Sequence, residues 1–134
     1  MERGRGGRFD FKRMDVYRAA LRHYAWTVDV TGRLGWRHRR LADQMLGAAL
    51  SIPGNIAEAA GRRGRPLDVR KFYRYAQGST HESAAYLDAL RAIGAIDDDT
   101  HAEREAALAD IGSMLTRLMQ FETRNARGRR VRSF

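Results

Sequence analysis

Between Arg40 and Arg62 the apolar residues Leu41, Met45, Ala49, Ile52, Ile56 and Ala60 recur every three to four positions, and this stripe keeps its phase through Pro53. A strand would alternate with a period of two, and two separate elements would lose register at the proline. The stretch therefore reads as one amphipathic helix, kinked at Pro53. An interior proline costs about 3 kcal/mol by propensity, so tertiary packing of the apolar stripe must offset it.

Three further segments carry the same periodicity. The first runs from about Asp15 to Leu34, with Val16, Ala20, Tyr24, Thr27, Val30 and Leu34 on one stripe and Gly32 and Gly35 at its end. After the turn GRRGRP, Pro66 suits the first turn of a third helix that reaches about Ile96. Its stripe is Phe72, Ala76, Ser79, Ser83, Tyr86, Leu90 and Ile93. Asp97, Asp98 and Asp99 place negative charge where a fourth helix begins, and Thr100 with Glu103 has capping-box spacing. That helix carries Leu108, Ile111, Leu115, Leu118 and Glu122. No strand-like alternation and no internal repeat is present. Short connections between four helices predict an all-α, antiparallel up-down four-helix bundle over residues 14–123. Residues 1–13 and 124–134 are expected as flexible basic tails, the second because RNARGRRVRSF lacks an apolar face.

Composition limits the chemistry. There is no cysteine, so neither disulfides nor thiolate metal sites can form. No apolar run approaches the ~18 residues of a membrane span, and MERGRGGRFD lacks the apolar middle of a signal peptide. A soluble, cytoplasmic protein is expected. The formal net charge is +9, from 23 Arg and 2 Lys against 16 acids. A GC-rich coding bias explains part of the arginine excess but not its placement. Residues 1–13 carry +3 and residues 124–134 carry +5 without an acid, while the body between them carries +1. Residues 62–74 hold six basic side chains against Asp68. In an up-down bundle these three segments meet at one end. The other end, with residues 33–40 at +4 and residues 97–110 at −5, is close to neutral.

Candidate sites follow from two kinds of pattern. Gly47, Ser51, Gly54, Glu58 and Gly61 recur at steps of three and four beside Asn55, a face of small residues that permits close helix approach. Ala76, Ser79 and Ser83, with His81 and Glu82 alongside, form a matching face on the third helix. Ser51, Asn55, Glu58, Ser79 and Glu82 read as a packing or assembly motif in which polar groups satisfy one another, with Glu58 paired to Arg62 four residues on. A ligand or catalytic site at Asn55 and Glu58 is the weaker reading. No Glu has His three residues later, and His23, His38, His81 and His101 do not pair at ligand spacing, so no metal or other cofactor is expected. Nucleophile-elbow, P-loop and Rossmann patterns are missing, which points away from an enzyme.

The second pattern is basic. In RKFYRY, Phe72 is expected to face the core while Arg70, Tyr73, Arg74 and Gln77 share another face. Tyr73 flanked by arginines suits stacking on an unpaired base; a solvated helix face with a tyrosine at the core edge explains the pattern equally well. GRGGR near the start resembles an RGG-type segment in a single copy.

SIPGNIAEAAGR followed by KFYRYAQGSTHESAAYLDAL resembles the four-helix bundle family typified by proteins encoded in intervening sequences of the large ribosomal RNA gene. The matching positions are Ser51, Ile52, Asn55, Ile56, Ala57 and Glu58, then Phe72, Ala76, Gly78, Ser79 and Glu82, and MDVYRAAL looks like the family's first helix. The likeness covers about residues 11–122. It implies a bundle that assembles into a homopentamer without catalytic activity. A related branch comprises accessory proteins of diversity-generating retroelements, basic pentamers that bind nucleic acid and a reverse transcriptase. Ala59 stands where the family usually has glycine, and the WRHRR connection is unusually basic; both shift weight toward nucleic-acid binding. The expected function is a non-enzymatic, oligomeric nucleic-acid binder, RNA before DNA, that contacts phosphates through Arg62, Arg63, Arg65, Arg70, Arg74, Arg127, Arg129, Arg130 and Arg132. The alternative is a protein-interaction scaffold whose basic ends dock an acidic partner.

Overall fold

In the computed structural model, which describes residues 9–132 with side chains through residue 130, four helices follow one another in sequence. They are α1 (Asp15–Gly32), α2 (Arg39–Ala60), α3 (Pro66–Ala92) and α4 (Asp98–Arg132). Short 3-10 turns at Asp10–Arg13 and Trp36–His38 precede α1 and α2. No strand occurs among the described residues. Connections of a few residues reverse the chain each time, so neighbours run antiparallel. The most extensive packing is of α3 against α2 on one side and α4 on the other.

The core is aliphatic. Ile52 and Ile56 of α2, Leu87 and Leu90 of α3, and Leu108, Ile111 and Leu115 of α4 are fully buried. Burial of such side chains contributes about 1.5–3 kcal/mol each. Pro53 lies buried inside an unbroken α2, so packing does offset its propensity cost. The expected stripes of α2 and α4 are the observed ones, with Leu41, Ala60, Leu118 and Glu122 only half-buried at their ends.

The flanks of the other stripes differ. On α1, His23 and Thr31 are buried and Tyr24 is half-buried. On α3 the buried set is Pro66, Val69, Tyr73, Ala76, Thr80, Ser83, Leu87 and Leu90, while Phe72 is half-buried and Ile93 exposed. Both this set and the expected one step by three and four and share Ala76, Ser83 and Leu90. Because α3 packs on two neighbours, its buried arc is wide, and the neighbours select which edge goes deeper.

Helix ends show where local chemistry acts. α3 stops at Ala92, short of Ile96, because Gly94 at φ +75° takes the left-handed conformation and lets Ala95 N–H reach Leu90 C=O at 2.9 Å, a Schellman closure. Ile96 folds back and is buried at the core's end. Gly64, at φ +91°, makes the corresponding reversal between α2 and α3. At the start of α4 the capping oxygen is Asp97 Oδ1, which accepts from Thr100 N–H at 2.8 Å. The expected Thr100 and Glu103 capping box is therefore displaced by the residue that precedes the helix.

The largest departure is at the C-terminus. Residues 124–132, expected as part of a flexible tail, continue α4, which at 35 residues spans about 52 Å. Glu122, Thr123, Asn125 and Ala126 are half-buried, so this segment still packs on the rest of the protein although its own sequence has no apolar stripe. The end of the N-terminal segment is also ordered: Asp10–Arg13 forms its turn, and the Phe11 ring meets Tyr17 edge to face at 5.1 Å. GRGGR lies outside the described residues.

Candidate nucleic-acid interface

Reversal of direction at each connection sends the start of α1, the α2–α3 turn and the end of α4 to the same end of the bundle. Two contacts confirm this. Arg63 of the turn donates to Asp10 at 2.8 Å, its other guanidinium nitrogen lying 2.6 Å from the second carboxylate oxygen. A Cβ built on Gly64 would lie 3.9 Å from Arg129 Nη2. Three segments separated by more than 50 residues in sequence thus share one surface.

The arginines at this end differ in how they are held. Arg63 and Asp10 fix one another: the guanidinium holds the Asp10 carboxyl below its usual range, and the carboxylate raises the Arg63 pKa. Arg62 reaches Glu58 at 3.5 Å and lies over the Phe72 ring at 5.0 Å. Arg65 is 4.0 Å from Asp68. The turn arginines, expected as phosphate contacts, therefore already have carboxylate neighbours, and a phosphate would have to share or displace them. Arg74 is exposed and Arg70 half-buried on α3, and Arg124, Arg127, Arg129 and Arg130 are exposed on the last turns of α4. The helix sets Arg124, Arg127 and Arg130 at three-residue steps along neighbouring lines of its surface, an order that a flexible tail would not have. The Arg132 side chain lies outside the described side chains.

Tyr73 does not belong to this surface. It is 6% exposed, and burial, followed by the nearby Glu122 carboxylate, raises its hydroxyl pKa while Arg63 acts in the opposite sense. It plugs the core beneath the basic end and offers no face for stacking. The exposed aromatic is Tyr75, at 51%, which meets Phe72 edge to face at 5.7 Å. Lys71 lies over the same Phe72 ring at 5.1 Å. Tyr75 was present in RKFYRY, but which of the two tyrosines, two residues apart, faces outward is set by how α3 sits on its neighbours.

Of the residues expected as a packing or assembly motif, Ser51, Asn55 and Ser79 form a polar seam between α2 and α3, while Glu58 pairs with Arg62. Ser79 Oγ donates to Ser51 Oγ at 2.9 Å, and Asn55 Nδ2 donates to both the carbonyl and the hydroxyl oxygen of Ser51 at 2.9 Å. The Tyr86 hydroxyl lies 2.9 Å from Glu82 Oε2 and 3.0 Å from Gln44 Oε1. Asp43, Gln44, Gly47, Ala48, Ser51, Ser79 and Glu82 line a shallow groove of about 400 Å³. Added Cβ atoms on Gly47 and Gly54 would meet nothing within 4 Å. The small face expected to admit a close helix is therefore open at both glycines, and Ser51 is where it meets α3, through Ser79.

With this geometry in view, comparison with protein families gives a match over residues 12–117 to the 23S rRNA-intervening sequence protein model. The chain belongs to that family. Most of the bundle is covered, and the match includes the Ser51–Asn55–Glu58 and Ser79–Glu82 seam. The last turns of α4, with Arg124, Arg127, Arg129 and Arg130, lie beyond the matched region. No curated protein matches the chain. No helix among the described residues is long and apolar enough to cross a membrane.

Proposed function

We propose that this intervening-sequence family protein is a non-enzymatic, cytoplasmic RNA-binding bundle that works as an oligomer. The observation that carries the reading is the meeting of the α2–α3 turn and the arginine-lined end of α4 at one end, shown by Arg129 beside Gly64. A concentrated basic surface attracts phosphates and releases their counterions. Arg70, Arg74, Arg127 and Arg130 are the primary contacts, with the carboxylate-paired Arg62, Arg63 and Arg65 as a second rank. Such contacts favour backbone over sequence. Tyr75 is the aromatic positioned to stack on an unpaired base.

Self-assembly into a homopentamer would join five such ends into a ring. The open positions at Gly47 and Gly54 and the exposed apolar side chains Leu21, Val28 and Leu50 are consistent with further helix contacts. A reverse transcriptase of the retroelement type is the protein partner such a ring would serve.

The test is titration with single-stranded and duplex RNA at increasing salt. Affinity should fall steeply with salt, and Arg127→Ala and Arg130→Ala should each lower the salt slope by about one. Binding that ignores salt, or that survives removal of residues 124–134 together with substitution of Arg62, Arg63 and Arg65, would refute the proposal. Sedimentation of the intact chain tests the assembly, and a monomer at micromolar concentration would exclude the ring.

A further inference from the structure

At the other end of the bundle, α3 and α4 bring together three side chains that share no sequence motif. Asp88 of α3 and His101 and Glu105 of α4 each present one potential ligand atom, and these atoms all lie within 4.8 Å of one another. His101 and Glu105 are four residues apart and so share a helix face. Asp88 comes from the facing helix, where His101 Nε2 lies 2.7 Å from its Oδ1. We propose that Asp88, His101 and Glu105 form a divalent-metal site of the zinc class that clamps α3 to α4.

The donor set suits that class. One imidazole nitrogen and two carboxylate oxygens are zinc ligands, and three protein ligands leave a fourth tetrahedral position to water. At metal–ligand distances of about 2.1 Å, tetrahedral ligands stand roughly 3.4 Å apart. Closing the observed trio to that spacing needs side-chain adjustments of about 1 Å, and Asp88 and Glu105 are exposed enough to make them. The imidazole separates this cluster from an ordinary acidic patch, because hard cations such as Mg²⁺ favour oxygen ligands and water.

The surroundings favour a cation. Residues 97–110 hold six acids against Arg104. Arg104 is turned to the α1 side, where it lies 3.2 Å from His23 and over the Trp26 ring. Arg91 is engaged with Asp98. Neither guanidinium is thus committed to the trio. The His101 side chain is 21% exposed, so its ring is already ordered against the protein.

Calorimetric titration of the intact chain with zinc chloride, after treatment with a chelating resin, tests the site. The expected result is saturable binding of one zinc per chain, undisturbed by excess Mg²⁺, with a zinc-dependent rise in Tm. His101→Ala should lose the binding and the Tm rise while keeping its helical circular dichroism. Glu105→Gln and Asp88→Asn, exposed and nearly isosteric, should each weaken binding at least tenfold. Cobalt should give the visible absorption of a tetrahedral centre in the parent chain and not in His101→Ala. Absence of saturable binding up to millimolar zinc, or equal binding by all three variants, would overturn the assignment and leave the cluster as an Asp–His pair.

Discussion

Acidification should destabilise this protein through one buried imidazole. His23 is 2% exposed, and burial, aided by the Arg104 guanidinium, pushes its pKa down to about 4 from an ordinary 6.5. Arg104 Nη2 lies 3.2 Å from His23 Nδ1, and a guanidinium can only donate, so Nδ1 must accept and the ring must be neutral. The proton then sits on Nε2, which faces Thr27 Oγ1 at 3.4 Å, while the Thr27 hydroxyl donates to the His23 carbonyl at 2.8 Å. Protonating Nδ1 would set a second donor against Arg104.

The sign follows from linkage. The unfolded chain takes up the proton near pH 6.5 and the folded chain only near pH 4, so this contribution is intact above pH 6.5 and is lost as pH falls toward 4. At about 1.4 kcal/mol per pH unit, the whole window is worth about 3 kcal/mol, a large part of a total stability of about 5–15 kcal/mol. Urea unfolding followed by circular dichroism, repeated from pH 7.5 to 4, measures the loss. His23→Gln keeps an acceptor for Arg104 and removes the titration. Its stability should start lower at pH 7.5 and fall less on acidification, so that the two curves converge by about 3 kcal/mol. Parallel curves for the parent and His23→Gln would refute the neutral buried imidazole.

Five other substitutions test the fold and its ends. Leu115→Ala, in the fully buried core, should cost about 2–5 kcal/mol in urea unfolding through the cavity it leaves. Ser79→Ala removes the 2.9 Å bond to Ser51 across the α2–α3 seam and should cost about 1 kcal/mol. Asp97→Ala removes the acceptor for Thr100 N–H and should lower stability by about 1 kcal/mol, with hydrogen exchange quickening first at residues 98–101. Gly64→Ala should destabilise by about 1–2 kcal/mol because φ is +91°, whereas Gly47→Ala, inside α2 and facing open space, should stabilise by up to about 1 kcal/mol; equal effects of the two glycine changes would contradict the turn assignment.

Much of the architecture was legible before any coordinates. The apolar stripes of α2 and α4 are deep in the pattern: Ile52, Ile56, Leu108, Ile111 and Leu115 are aliphatic residues at helical spacing, and of these only Leu115 has a large flexible apolar neighbour, Met114, one position away. Antiparallel order followed from connections too short to cross the bundle, and it placed the basic segments at one end. Long amphipathic helices and their number were readable because helix formation depends on residues near one another in the chain.

What tertiary structure decided is which side chain fills a place that several could fill. Tyr73 is buried and Phe72 partly exposed because α3 lies between α2 and α4 and its rotation is set by both; hydrophobicity alone would choose the phenylalanine. Residues 124–132 extend a helix already nucleated upstream, and the half-burial of Asn125 and Ala126 with the approach of Arg129 to Gly64 is something their own polar sequence does not announce. His23, an unremarkable histidine in the sequence, became a neutral group because packing removes it from water and, secondly, brings Arg104, 81 residues later, against it. The Asp88, His101 and Glu105 cluster arose in the same way, from a cross-helix neighbour that no spacing along one chain segment reveals. Periodicity is a local property and specifies helices; depth, pairing and protonation are set by what the packed partner presents.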